Sequence, residues 1–235
     1  MLVWEQRCQC FRLCDLHIIS RNCQRLRGRL TEGIVVELLD NLIGKLNTKT
    51  KNKMGEETLI DFLKNKKTAK KGLCDKLSFD HKMPLIGLVI DLELSEDDVA
   101  IIESLLEGTS ALDVEIVVLA DTNLDSFSFP HVHHVPYSQQ SREHLMKASD
   151  MMVALPHNDI DEWLLNGVVP ITHLREGISN YDPNQEVGNS FVYGDVEDTD
   201  QWKIFAALVR ALETYKFPYD WKSIVGTGLK SVQDR

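Results

Sequence analysis

The chain has 235 residues, of which 43% are apolar, and its formal net charge is −10. This length corresponds to one large or two small domains, with enough apolar residues for a core. No segment approaches the ~18 consecutive apolar residues of a membrane span, so we expect a soluble, cytoplasmic protein without a membrane partner. The acidic balance also argues against a nucleic acid as the main partner, because like charges repel.

The first 29 residues differ from the rest in charge and in cysteine content. Residues 1 to 30 carry six arginines and two acidic residues, a formal +4, so the remaining chain carries −14. Four of the five cysteines also lie there, at Cys8, Cys10, Cys14 and Cys23. Their spacing lacks the paired C-x2-C knuckles of common zinc sites, which favours free thiols over a metal site. An organelle transit peptide is another interpretation of the arginine content. We predict a basic, cysteine-containing extension over residues 1–29, dispensable for folding, and one domain over residues 30–235.

From residue 58 onward, helical and strand patterns alternate. Helices are predicted near residues 58–77, 96–107, 139–148, 159–165, 198–215 and 219–227. Strands are predicted near residues 85–91, 114–119, 131–135, 151–155, 168–172 and 190–193. This alternation predicts an α/β protein with a Rossmann-like parallel sheet, right-handed crossovers and helices on both faces.

The first strand and the helix after it form the most informative junction. Residues 84–90 are apolar without alternation, which is typical of a parallel strand covered on both faces. Ser95 is a favourable N-cap, and Glu96, Asp97 and Asp98 follow it in the first turn. Acidic side chains at this position stabilise a helix through its dipole, so a solvated acidic helix start is the simplest interpretation.

Histidine and aromatic residues farther along the chain allow two interpretations each. His131 and His133 fall on one face of a predicted strand, as in some metal pairs, but surface histidines are the simpler interpretation because no third ligand is evident. Trp202 and Phe205 repeat at helical spacing, which predicts core positions. The aromatic residues between 215 and 221 are interpreted as packing residues, with a carbohydrate-stacking patch as the alternative.

Short motifs between residues 30 and 230 resemble, in the same order, those of bacterial glycogen and plant starch synthases. They include Pro84-Leu85-Ile86-Gly87, Ala148-Ser149-Asp150-Met151, Asn166-Gly167-Val168-Val169-Pro170 and Arg210-Ala211-Leu212. The chain is thus similar to the C-terminal half of these glycosyltransferases, which are built from two Rossmann-like halves. The resemblance implies a lineage that transfers glucose from ADP-glucose to the end of an α-1,4-glucan.

The positions at which this family holds the nucleotide sugar are largely substituted. Asp91 and Glu96 stand where the family has Arg and Lys, and Ala120 and Thr122 stand where it has glycines. The family's T-G-G-L loop corresponds to the stretch containing Arg175, Glu176 and Gly177. Two unit charges a few Å apart interact by about 4 kcal/mol at an effective dielectric near 20. Two reversed charges therefore convert attraction for the diphosphate into repulsion.

A further departure lies in residues 155–163, which lack the family's R-F-E-P-C-G-L-x-Q segment that contacts the donor. We therefore predict a degenerate, truncated relative with no catalytic residues, no metal and no cofactor. Two alternatives stay open. One is an active synthase part that needs a second chain for the N-terminal half, and the other is a fragmentary product without a selected role.

The same resemblance predicts the partners. ADP-glucose or an α-glucan is expected to bind only weakly, because the donor positions are substituted. The family's final helix and N-terminal half have no counterpart here, so we expect exposed apolar surface that binds a protein partner or a second copy. That contact is expected at the strand ends near Ile90, Leu119 and Leu155 and at the helix around Trp202.

Overall fold

The computed structural model describes residues 56–90, 95–120, 129–155, 158–195 and 200–234, all within the unit Met54–Arg235. The predicted boundary between residues 29 and 30 lies outside these ranges and stays a prediction. Among the helices of the described part, none is long and apolar enough to cross a membrane.

Six strands form one parallel sheet in the spatial order β3-β2-β1-β4-β5-β6. They are β1 (Leu85–Ile90), β2 (Glu115–Ala120), β3 (Val132–Pro136), β4 (Met151–Val153), β5 (Val169–Thr172) and β6 (Phe191–Val192). The first strand, β1, lies in the middle of the sheet. Strands β2 and β3 follow on one side of it, and β4, β5 and β6 follow on the other. This order places a topological switch point between β1 and β4. The predicted Rossmann-like α/β fold is confirmed.

Six helices accompany the strands in the described ranges. They are α1 (Glu56–Leu77), α2 (Glu96–Thr109), α3 (Gln139–Ala148), α4 (Ile160–Leu165), α5 (Gln201–Tyr215) and α6 (Pro218–Gln233). Helices α2, α3, α4 and α5 each follow a strand, so they begin at the edge where the strands end, here called the carboxyl edge. The opposite edge, where the strands begin, is called the amino edge.

The core lies on both faces of the sheet. Ile86, Leu88 and Ile90 of β1 pack in one cluster with residues of α2, α5 and α6, whereas Leu85 and Val89 pack in a second with residues of α1, α3 and α4. None of the five is more than 3% exposed. Full burial of such a side chain stabilises by roughly 1.5–3 kcal/mol, which explains why this strand contains no polar alternation.

The last helix is longer than the sequence predicts. Its expected end near residue 227 contrasts with the observed end at Gln233. Gly226 and Gly228 are unfavourable in helix interiors, but here they lie at close helix contacts. A Cβ on Gly226 would stand 3.2 Å from a methyl carbon of Leu59, and one on Gly228 would stand 2.8 Å from Leu164. The absence of side chains therefore permits α6 to approach α1 and α4.

The core position predicted for Trp202 is wrong, since this side chain is 70% exposed. The buried stripe of α5 consists of Ile204, Ala207, Leu208, Ala211 and Leu212. At 3.6 residues per turn, Trp202 lies about 200° around the helix axis from Ile204, which turns it away from the sheet. Helical spacing alone does not distinguish these two faces when both carry apolar residues.

Candidate functional site at the carboxyl edge

The carboxyl edge at the switch point is where doubly wound sheets hold their ligands. In this protein the crevice lies outside the ends of β1 and β4. Described residues reach it from three places: the N-terminus of α2, the N-terminus of α4 and the segment that follows β5.

The N-terminus of α2 is capped by the chain's own side chains. The Ser95 hydroxyl oxygen accepts a hydrogen bond from the Asp98 backbone N–H at 3.1 Å. The Asp98 carboxylate accepts from the Ser95 backbone N–H at 3.3 Å and from the Ser95 hydroxyl at 2.6 Å. This reciprocal capping box satisfies N–H groups that otherwise attract a phosphate, and it places a negative charge at the same point.

Helix α4 begins in the same acidic manner. The Asp159 carboxylate accepts from the backbone N–H groups of Asp161 and Glu162, at 3.0 and 3.5 Å. The Glu162 carboxylate pairs with Arg142 of α3, whose side chain is 16% exposed. The hydrogen bond to Glu162 raises the pKa of the Arg142 guanidinium. Glu162 therefore links α3 to α4.

A polar cluster lies where β4, β5 and β6 end. Arg175 donates from Nη1 to the Asn158 carbonyl oxygen at 3.0 Å, and its Nη2 lies 3.0 Å from Nε2 of His173. The Asn158 side chain in turn accepts from the Leu155 N–H at 2.8 Å, which fixes the turn after β4. The Tyr193 hydroxyl donates to the Ala154 carbonyl oxygen at 3.1 Å. Hydrogen bonds thus hold the three strand ends together around one guanidinium.

Burial sets the protonation states in this cluster. Burial lowers the pKa of His173, and the adjacent Arg175 charge lowers it further, so the imidazole is neutral at pH 7. Burial raises the pKa of the Tyr193 phenol, which stays protonated. Burial also lowers the pKa of Arg175, but a guanidinium remains cationic at neutral pH. The cluster can therefore contact an anion or a sugar hydroxyl. Burial and the adjacent guanidinium disfavour protonation of His173, which makes its imidazole a weak general base.

The predicted site residues are only partly brought together. Arg175 lies in the cluster, and Glu176 is exposed in the adjacent turn, where Gly177 has a φ of 75° that favours glycine. Ala120 ends β2, three strands from β5, which corresponds to roughly 14 Å at the usual strand spacing. Glu96 is the first residue of α2.

Two predicted positions, Asp91 and Thr122, lie outside the described residues. Arg175 contacts Asn158 and His173, whereas Glu162 pairs with Arg142. Sequence reasoning missed His173, although a histidine directly after a buried strand falls at the carboxyl edge and is a usable signal.

His131, which directly precedes β3, and His133 within it have partners other than a metal ion. Nε2 of His131 lies 2.9 Å from Oγ1 of Thr109, and His133 packs edge-on against Phe79 with ring centroids 5.7 Å apart. Within the described ranges, no group of three or more His, Cys, Asp or Glu side chains could hold a metal ion. The four N-terminal cysteines lie outside those ranges.

Comparisons with known proteins address the fold. No protein-family profile matches the sequence, and no curated protein sequence matches it significantly. A glycosyltransferase from Rickettsia africae is similar in structure with a TM-score of 0.50 and 13% sequence identity, over 78% of this chain and 48% of that protein.

Two other similar structures have lower TM-scores. UDP-GlcNAc 2-epimerase from Neisseria meningitidis has a TM-score of 0.46 and 16% identity, over 75% of this chain and 50% of that one. The glycosyltransferase SnogD from Streptomyces nogalater has a TM-score of 0.43 and 15% identity, over 64% and 38%. The chain thus spans half or less of the length of these proteins. The similarity to the Rickettsia africae protein supports a glycosyltransferase-like fold, and not a glycogen or starch synthase in particular.

Proposed function

We propose that this chain is a noncatalytic relative of the ADP-glucose-dependent glucan synthases, with a glycosyltransferase-like Rossmann domain that binds a nucleotide sugar or α-glucan at most weakly. The observation that carries the proposal is the N-terminus of α2, where the Ser95 hydroxyl accepts from the Asp98 N–H and the Asp98 carboxylate accepts from the Ser95 N–H. A diphosphate at this junction would meet the negative charge of the Asp98 carboxylate.

The chemistry of glucosyl transfer explains why this matters. The nucleoside diphosphate leaves with developing negative charge, which a transferase stabilises with cations and oriented N–H groups. In this chain the sequence around the junction supplies Asp91, Glu96, Asp97 and Asp98. Each unit charge a few Å from the diphosphate costs about 4 kcal/mol at an effective dielectric near 20, so the junction opposes the departing anion.

In the described part of the carboxyl edge, the Arg175 guanidinium can attract the phosphate groups of a donor. One hydrogen bond to a charged group contributes about 1.5–3 kcal/mol. A dissociation constant of 1 mM corresponds to about −4 kcal/mol, so a single such contact gives binding weaker than millimolar. We therefore assign no catalytic residue and no cofactor to the described part of the chain.

Calorimetric titration with ADP-glucose, ADP and maltooligosaccharides tests the proposal. We expect dissociation constants of about 1 mM or weaker. Asp98→Asn keeps a side-chain acceptor at the α2 N-terminus but removes its charge, so it should strengthen ADP-glucose binding. The matched control is Asp200→Asn, which changes the N-cap of α5 away from the switch point and should leave binding unchanged. Micromolar binding by the unmodified protein would contradict the proposal.

Arg175 favours a second candidate, an active synthase part that acts together with a second chain. A guanidinium at the carboxyl edge can hold one phosphoryl oxygen of a donor. Under this alternative, glucose transfer from ADP-glucose to maltooligosaccharide would appear when a protein carrying the family's N-terminal half is added, and Arg175→Ala would abolish it. The absence of transfer in the mixture would exclude this candidate.

A further inference from the structure

A groove of about 310 Å³ lies between α2 and α5. Its volume falls at the lower end of the range of small-molecule pockets. Residues from both helices line it: Ser104, Leu105, Glu107 and Gly108 from α2, and Gln201, Trp202 and Phe205 from α5. At 1.5 Å per residue, Glu107 lies roughly 16 Å along α2 from Glu96. The groove is therefore separate from the capped N-terminus of α2.

Trp202 supplies an open aromatic surface to this groove. Its side chain is 70% exposed, whereas tryptophan is on average a highly buried residue. Phe205 follows it by about one turn of α5 and is half-buried. A Cβ on Gly108 would stand 3.3 Å from the Phe205 ring, so the absence of a side chain there lets the ring lie close against α2. The two rings thus form an apolar surface that helix packing leaves partly uncovered.

Polar groups of three kinds line the same groove. Ser104 and Glu107 are three residues apart on α2, so they share one face of that helix, and both are exposed. Gln201 is half-buried at the start of α5. Together they present a hydroxyl, a carboxylate and an amide, which can donate to and accept from the hydroxyl groups of a ligand.

The charge of the groove limits the class of ligand. Among the described residues that line it, Glu107 is the single charged one. The whole chain has a formal charge of −10, so a carboxylate here repels a phosphate or another anion. A neutral sugar ring has an apolar C–H face and a rim of hydroxyl groups. Such a ring matches an open indole that is flanked by a carboxylate, an amide and a hydroxyl.

We propose that this groove, here called the tryptophan groove, binds a glucosyl ring of a neutral glucan. The apolar face of the ring would stack on Trp202, and its hydroxyl groups would bond to Ser104, Glu107 and Gln201. The choice of a neutral sugar rests on the groove itself, whereas the choice of glucose rests on the proposed function. The groove would attach the chain to a glucan and would take no part in glucosyl transfer.

Titration with two sugars and a cation tests the ligand class. Maltohexaose provides glucose in α-1,4 linkage, and cellohexaose provides the same sugar in β-1,4 linkage. Choline is the cationic probe, because an indole beside a carboxylate can also attract a quaternary ammonium group. We expect maltohexaose to bind with a dissociation constant of about 1 mM and choline not to bind. No binding of either sugar, or tighter binding of choline, would overturn the proposal.

Two further outcomes separate this proposal from the proposed function. Binding of cellohexaose alone would support a sugar site in the tryptophan groove but contradict the relationship to α-glucan synthases. Micromolar binding of ADP-glucose would contradict the noncatalytic function, whereas the assignment of the groove would still be decided by maltohexaose.

Variants locate the bound sugar. Trp202→Ala should weaken maltohexaose binding by about tenfold or more, and Trp202→Phe should restore part of it because it keeps an aromatic ring. The matched control is Tyr219→Ala, which removes a 71% exposed aromatic side chain of α6 outside the groove and should leave binding unchanged. Equal loss in the two alanine variants, or binding that persists in Trp202→Ala, would overturn the assignment to the tryptophan groove.

Sedimentation of the same samples accounts for the second copy that is expected near Trp202. A second copy on this indole would compete with the sugar, so maltohexaose should reduce self-association. A dimer that binds no maltohexaose would assign the groove to the second copy and overturn the proposal.

Discussion

The two edges of the sheet carry opposite side-chain charge. At the carboxyl edge, where helix N-termini are partially positive, α2 and α4 begin with carboxylates that cap them. At the amino edge, where helix C-termini are partially negative, Lys66 binds the last carbonyls of α3 and α4. At both edges, the side-chain charge therefore has the opposite sign to the partial charge of the helix termini, which stabilises the helices. The described part of the carboxyl edge also contains the Arg175 guanidinium, whereas the buried lysines Lys66 and Lys70 lie at the amino edge.

The largest expected effect concerns the buried ion pair at the amino edge. Asp150→Asn should lower the free energy of unfolding by about 3–5 kcal/mol, because it leaves the buried Lys70 charge without a counterion. The Asp150 carboxylate also accepts the Leu85 N–H at 2.9 Å, which connects it to β1. Urea unfolding measures the loss.

The control for this variant is Asp61→Asn, which breaks an exposed pair with Lys64 on the same helix that carries Lys70. It should change stability by less than about 1 kcal/mol. Similar losses in the two variants would show that the amino edge tolerates an uncompensated charge, and the comparison of the two edges would fail.

The next effect depends on pH. Burial lowers the pKa of Lys66 from its ordinary value of 10.5 to about 8. Between these values the unfolded chain binds the proton and the folded chain does not, so stability rises with pH through this window. The stability difference between the wild type and Lys66→Met should therefore shift in favour of the wild type by roughly 3 kcal/mol from pH 8 to 10.5. Urea unfolding at several pH values checks this, and a pH-independent difference would contradict it.

A smaller effect is expected at the carboxyl edge. Ser95→Ala removes the hydroxyl that accepts the Asp98 N–H and should cost about 1 kcal/mol of stability. Ser104→Ala, at an exposed position inside the same helix, provides the matched control and should be nearly neutral. If both variants melt at the same temperature, the capping box does not stabilise α2, and the argument against a phosphate at this helix weakens accordingly.

The smallest effect on stability is expected from Trp202→Ala, which should change the free energy of unfolding by less than about 0.5 kcal/mol because the side chain is 70% exposed. The same substitution tests the predicted association with a partner or a second copy. We expect the wild type to self-associate in sedimentation experiments and the variant to do so less. A monomeric wild type that binds no hydrophobic dye would contradict this expectation.

Much of the fold could be predicted because its signals are local. The apolar run at residues 85–90 and the Ser95 cap each lie within one element, and the structure confirms both. The polar cluster could not be predicted in the same way. Arg175 contacts Asn158 only because β4 and β5 are neighbours in the sheet, which brings the segments after them together. No local sequence pattern predicts that these two segments are adjacent. The family comparison identified the position of Arg175 but not its contacts.

The burial of two lysines of α1 could not be predicted for a related reason. Residues 64–71 contain five lysines and were interpreted as part of the helix that leads into the first strand. Lysines in such a run are usually solvated. The two buried ones, Lys66 and Lys70, follow from the packing of α1 against α3, which the sequence pattern does not specify.

The contacts of α1 also affect the order in which the protein folds. Lys66 bonds to carbonyls 80 and 100 residues away in sequence, and Lys70 bonds to Tyr215, which is 145 residues away. Closing loops of this length costs entropy before any contact forms, so such contacts slow folding. We therefore expect helix α1 to dock after β4, β5 and α5 have assembled. In hydrogen-exchange experiments its amides should open together with the C-terminal ends of α3 and α4, as one cooperative unit.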